Sequence, residues 1–173
     1  HVGYYLIKHL QEEGARIIIS DIDEDKINNI TREFKVEVVD EKLIYDVDCQ
    51  IYAPCALGAV INDNTIKRIK CDIIAGGANN QLEDEEKHGK ILMNRGVLYA
   101  PDFLINAGGL INVGIDYLGN YSRERVFKKV ERIYQTVLEI ILKTKQEKIP
   151  AQEAAIKIAL KRINDIGKVK AHL

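Results

Sequence analysis

Four short apolar runs, each closed by a small, polar or breaking residue, constrain this chain more than any other feature. They are Arg16–Ser20 (RIIIS), Cys49–Ala53 (CQIYA, stopped by Pro54), Asp72–Ala75 (DIIA, ending at Gly76-Gly77) and Val97–Ala100 (VLYA, stopped by Pro101). Short β-branched runs bounded by turn residues read as buried strands. Val36–Val39 is a further strand candidate. Helical patterns lie between and after them. Asp23 or Asp25 can cap a helix running to about Phe34. Asn62-Asp63-Asn64 starts a helical turn around Ile66 and Ile69. Arg123–Gln146 carries Val126, Val130, Ile133, Val137, Ile140 and Ile141 at spacings of three and four, the stripe of one long amphipathic helix. Gln152–Ile163 reads as a last helix with Ala155, Ile158 and Ala159 inward. Strands alternating with helices predict an α/β fold: a doubly wound, mostly parallel sheet with helices on both faces, and long C-terminal helices. At 173 residues the length suits one domain, 1–173, of which 121–173 are the C-terminal helices.

Composition narrows the function classes. A net charge of −1 gives no field to recruit nucleic acid or an anionic membrane. No apolar run approaches the roughly 20 residues that span a bilayer. Cys49, Cys55 and Cys71 are an odd set without C-x-x-C spacing, which argues against a disulfide framework and suits a reducing cytoplasm. His1, His9, His88 and His172 show no i, i+4 pair, so no metal centre is expected.

In doubly wound sheets, ligands bind beyond the carboxyl ends of the strands. There this chain has Asp21, then Pro54-Cys55-Ala56-Leu57-Gly58, then Gly76-Gly77-Ala78-Asn79-Asn80-Gln81, then Pro101-Asp102 and Asn106-Ala107-Gly108-Gly109. Small residues let a flat ligand approach the backbone, and Asn offers both a donor and an acceptor. Gly3 precedes a helical pattern, and Asp21 ends the next strand, 18 positions on. That spacing fits the last glycine and the ribose-binding acid of a dinucleotide fingerprint. It equally fits a packing glycine and a turn-capping aspartate. Cys55 has no placed base beside it and reads as a small lining residue rather than a nucleophile. A carboxylate at Asp21, followed by Ile22 and not Arg, favours NAD over NADP. On this reading His1-Val2-Gly3 is the tail of a phosphate-binding turn. The fold is then Rossmann-like and lacks its first strand, leaving an unpaired groove in the sheet.

Four stretches resemble the amino-acid dehydrogenases of the glutamate/leucine/phenylalanine/valine family: Asp48–Gly58 (DCQIYAPCALG), Gly77–Leu82 (GANNQL), Tyr99–Val113 (YAPDFLINAGGLINV) and Tyr121–Arg125 (YSRER). With Gly3 and Asp21 they span most of the chain in the family's order, and the leucine-type pattern is the nearest. The resemblance implies NAD as cofactor. It makes Gly3 the third glycine of the pyrophosphate turn and Asp21 the partner of the adenosine ribose. Ala53, Cys55 and Ala56 would line the adenine and ribose side. Asn80 would contact the nicotinamide ribose or the substrate, and Asn106 the nicotinamide carboxamide or the substrate. Leu110 and Val113 would wall the substrate side chain. An apolar wall there suits a branched-chain or aromatic side chain and not the γ-carboxylate of glutamate. The chain departs from the leucine-type pattern at Ala78-Asn79-Asn80-Gln81, often Ala-Asp-Asn-Gln, and at Val113-Gly114-Ile115-Asp116, often Val-Ala-Asp-Glu.

The implied reaction is reversible NAD-dependent oxidative deamination of an L-amino acid to a 2-oxo acid and ammonia. The family's catalytic lysine and aspartate belong to an N-terminal substrate domain that nothing here matches. No catalytic residue is therefore expected in this chain, which alone should be inactive. The family also implies a homo-oligomer. The alternative reading is a standalone or degenerate dinucleotide-binding module without turnover.

Overall fold

The computed structural model describes residues 2–119 and 121–170, with side chains to Gly167. In chain order it runs α1 (Val2–Glu12), β1 (Ile17–Ile19), α2 (Glu24–Glu33), β2 (Val36–Val38), β3 (Ile51–Tyr52), β4 (Ile73–Ile74), α3 (Glu85–Asn94), β5 (Leu98–Tyr99), α4 (Asp102–Ile105), α5 (Gly108–Tyr117), α6 (Arg123–Val130), α7 (Arg132–Glu147) and α8 (Ala151–Lys170). All the strand pairings are parallel. The strands fall where the apolar runs lie but are shorter, two or three residues each. Val39 lies outside β2, although its N–H still donates to Ile19 O at 3.0 Å.

The ladder is in two pieces. β1 pairs with β2, Ile17 opposite Val36 and Ile19 opposite Val38. β3, β4 and β5 form the other piece, with Ile51, Ile73 and Leu98 in one row. Among the described residues no pairing joins β1 to β3. The fold is Rossmann-like α/β, with the sheet divided where the sequence reading expects its first strand.

Local chemistry sets the helix starts. Asp23 caps α2, accepting from Lys26 N at 3.2 Å, and Asp25 lies inside the first turn. Asp84 caps α3, accepting from Lys87 N at 2.9 Å. At Asn62 the side chain accepts from Asn64 N (3.0 Å) and Thr65 N (3.1 Å), which folds a compact turn. That turn delivers Ile66 and Ile69 into the main core with Ile61, Ile74, Leu82, Leu92, Val97 and Tyr99. A smaller core joins Ile140 of α7 to Ala154 and Ala155 of α8.

Two expectations need correcting. The single helix over Arg123–Gln146 is two, separated at Glu131, which keeps helical angles (φ −54°, ψ −29°). The halves have different partners: α6 packs on α5, and α7 packs on α4 and α8. Ala159 is exposed, whereas Ala154 is fully buried. Gln152 lies against α3, where a Gly89 Cβ would come within 2.9 Å of its amide oxygen. Ala154 and Ala155 pack against Ile140 of α7 in the first turns of α8. Ala159 lies on nearly the same face as Gln152 but two turns further on, beyond the covered stretch.

α3 is tied down at its start by a buried histidine. His88 Nδ1 accepts from Asp84 N at 3.1 Å, so Nε2 carries the proton and donates to Asp63 Oδ1 at 3.1 Å. Lys87 Nζ also reaches Asp63, at 2.7 Å. These two partners, Lys87 first, hold the Asp63 carboxyl below its ordinary 3.8. A depressed folded-state pKa stabilises above the unfolded value, and the contribution is lost as pH falls through the folded one. Asp63→Asn is therefore expected to shrink the stability difference between about pH 7 and about pH 3, compared by urea unfolding. An identical difference in wild type and variant removes this anchor.

Candidate functional site

Two clefts open at the carboxyl ends of the strands. The first, about 400 Å³, is lined by Val2 and Gly3 of α1, by Cys55 to Gly58 after β3, and by Gly77 to Asn80 after β4. The second, about 640 Å³, lies at the ends of β1 and β2 and is lined by Asp21, Ile22, Glu24, Ile27, Val38, Val39, Asp40 and Glu41.

The first groove depends on close backbone approach. Pro54 O accepts Ala78 N at 2.9 Å, clamping the two loops together. A Cβ on Gly76 would lie 2.2 Å from Pro54 O and 2.3 Å from Pro54 N, so no side chain fits. Ala59 (φ 61°) and Asn80 (φ 49°) both occupy the left-handed region, and Ala59 N donates to Asn80 O at 2.6 Å. Asn adopts that region readily. Ala does so at a cost of about 1 kcal/mol or more, and such strain concentrates at functional loops.

α1 enters at the same place. Val2 Cγ1 sits 2.5 Å from where a Gly77 Cβ would be, and a Gly3 Cβ would stand 3.6 Å from Cys55 Cβ. The first turn of α1 carries no acidic residue, and no residue lining this groove is Asp, Glu, Lys, Arg or His.

Beneath the groove lie two buried polar residues that sequence reading did not single out. Gln81 is fully buried, and its Nε2 donates to Gly76 O (2.7 Å) and Ala78 O (3.0 Å). Its backbone N donates to Asp102 Oδ2 at 2.7 Å. Asp102, also buried, takes Phe103 N on Oδ1 at 2.6 Å. Burial, and then the Asp102 charge beside it, pushes the Tyr99 phenol well above its ordinary range, so it stays protonated. A sequence signal existed at Asp102, an acid placed between a strand-ending proline and a helix. None existed at Gln81, whose side chain bonds the backbone of its own loop and whose N–H meets the side chain of Asp102, 21 residues on.

The expected site residues separate into groups. Gly3, Cys55, Ala56 and Asn80 share the first groove. Asn106, at the C-cap of α4, joins it indirectly, because its Nδ2 donates to Asn79 Oδ1. Ala53 is half-buried just after β3, outside the groove lining. Asp21 is exposed in the second cleft, where Oδ1 accepts Asp23 N at 3.0 Å. Leu110 and Val113 lie on α5, 76% and 64% exposed, and line neither cleft.

Among the described residues no helix is long and apolar enough to cross a membrane, and no cluster of His, Cys, Asp or Glu could hold a metal.

The sequence model of the glutamate/leucine/phenylalanine/valine dehydrogenases matches residues 4–170. A leucine dehydrogenase of Thermoactinomyces intermedius is 50% identical over 171 residues, 99% of this chain and 46% of that protein. A phenylalanine dehydrogenase of Bacillus thermotolerans is 44% identical over 172 residues, 96% of this chain and 44% of that protein. The crystal structure of L-tryptophan dehydrogenase from Nostoc punctiforme superposes with a TM-score of 0.92 at 44% identity, covering 95% of this chain and 49% of that one. The chain spans about half the length of the relatives it matches. Matched along nearly its whole length in sequence and in fold, the chain belongs to the glutamate/leucine/phenylalanine/valine dehydrogenase family.

Proposed function

We propose that this chain is the NAD-binding part of an enzyme that reversibly deaminates a branched-chain or aromatic L-amino acid, with leucine the leading substrate, to a 2-oxo acid and ammonia. The observation that carries the reading is the pairing of an uncharged groove at the α1 N-terminus with an acidic cleft around Asp21. The two match the two ends of a dinucleotide. Bound NAD supplies a hydride acceptor.

The chain's own residues bind and orient. The first backbone N–H groups of α1 have no partner within the helix and favour an anion, and Gly3 keeps side-chain bulk away from them. Asp21 accepts from ribose hydroxyls, while Glu24, Asp40 and Glu41 on the same cleft oppose a 2′-phosphate. Cys55, Ala56 and Gly58 keep the groove shallow. Asn80 and Asn106 supply amide contacts on the nicotinamide side. Leu110 and Val113 present apolar surface on α5, to be covered by the substrate and the other half of the enzyme. The leucine, phenylalanine and tryptophan names of the relatives support an apolar substrate. Proton-transfer groups belong to that other half. A strand preceding His1 would lie between β1 and β3 and deliver the chain to Gly3. The working enzyme is a homo-oligomer of the cytoplasm, where Cys49, Cys55 and Cys71 stay reduced.

The test is an assay of the full-length protein with NAD and L-leucine, L-valine, L-phenylalanine, L-tryptophan and L-glutamate, following NADH. Turnover is expected with the apolar substrates, leucine foremost. NADH binding without turnover on any of them would identify a binding module instead. Asp21→Ala should weaken NADH binding about tenfold or more, the loss of a charged acceptor, and narrow the NADH/NADPH preference. An unchanged preference in a fluorescence titration removes the ribose role.

A further inference from the structure

We propose that Asn79 is a positioning residue for Asn106: its side chain fixes the Asn106 amide so that the carbonyl oxygen is the free end. The inference rests on the cofactor reading and adds to it a residue that acts through another.

The geometry closes a ring. Asn106 Nδ2 donates to Asn79 Oδ1. Two residues after Asn79, Gln81 N is bolted to Asp102 Oδ2 at 2.7 Å. Asp102 starts α4, and its backbone oxygen accepts Asn106 N at 3.0 Å. The path from Asn79 to Gln81, across to Asp102, along α4 to Asn106 and back to Asn79 therefore contains a hydrogen bond at every crossing. Gln81 holds the loop side of the ring rigid by donating to Gly76 O and Ala78 O. Asp102 is a buried carboxylate with no ion-pair partner among the described residues, so the two N–H groups it accepts are its compensation. One of those N–H groups joins the β4 loop to α4.

Such a ring places both amides before any ligand arrives, so the Asn79–Asn106 bond costs little to form. An Asn side chain can otherwise turn about its last bond and exchange donor for acceptor. With Nδ2 held by Asn79, Asn106 Oδ1 is left to accept a hydrogen bond. A ligand N–H next to the groove, such as the carboxamide of nicotinamide, fits that acceptor.

Positioning and direct contact separate cleanly at this site. Asn79 is exposed, so its truncation should not unfold the protein. In the full-length protein, Asn79→Ala is expected to weaken NADH binding about five- to tenfold, the scale of one hydrogen bond. Adding Asn79→Ala to Asn106→Ala should cost little more than Asn106→Ala alone. Losses that add in the double variant would show a direct ligand contact and overturn the proposal. Wild-type affinity in Asn79→Ala would overturn it too. Failure of the wild type to bind NADH would overturn the cofactor reading first, and this inference with it.

Discussion

Gly76→Ala is expected to destabilise the protein by about 3 kcal/mol or more, whereas Gly77→Ala costs about 1 kcal/mol or less. The chemical change is the same, one methyl group on adjacent residues. The difference lies in what the methyl meets. At Gly76 it lands 2.2 Å from Pro54 O and 2.3 Å from Pro54 N, backbone atoms held by the Ala78 N–H to Pro54 O bond. Relief requires the β3 and β4 loops to part. At Gly77 it meets Val2 Cγ1 at 2.5 Å, one methyl of a half-exposed side chain that can turn away. Thermal unfolding should register Gly76→Ala as a drop of about 6–12 °C and Gly77→Ala as a few degrees at most. Equal shifts would mean that the two loops are not clamped as described.

The second large effect concerns catalysis. The 173-residue chain on its own should form no NADH from NAD and any L-amino acid. Deamination needs groups that move protons at the amine, and no Lys, His, Asp or Glu lines the groove. Cys55, its one thiol, has no base or acid among the neighbouring lining residues. The proposed function predicts turnover by the full-length protein. Measured turnover by the isolated chain would place proton-transfer chemistry within these residues and contradict this division of labour.

Much of this was legible in the sequence, for a physical reason. RIIIS, DIIA and VLYA are runs whose side chains have nowhere stable to go except a covered sheet, and they mark β1, β4 and β5. The cap Asp23 acts locally, within three residues, so it also shows in sequence. What stayed hidden depends on contacts made at long range. α3 (EEKHGKILMN) carries Gly89 in its middle and a buried His88, neither a helix signal; α8 and Asp63 account for both. Ala159 and Ala154 are the same residue type, and only where α8 packs on α3 and α7 decides which is covered. Gln81 looks like a surface residue until its contact with Asp102 is known.

The candidate site divides in the same way. Cys55 and Ala56 follow β3 and Asn80 follows β4 within a few residues, while Gly3 opens α1, and the first groove collects all four. Leu110 and Val113 sit on an exposed face of α5 and line neither cleft.

The most direct test is a crystal structure of the full-length protein with NAD bound. The account predicts one more parallel strand between β1 and β3. It also predicts the pyrophosphate against Gly3 at the start of α1, the adenosine ribose on Asp21, and the nicotinamide end beside Asn80 and Asn106. Direct pairing of β1 with β3, or NAD bound away from both clefts, would contradict it.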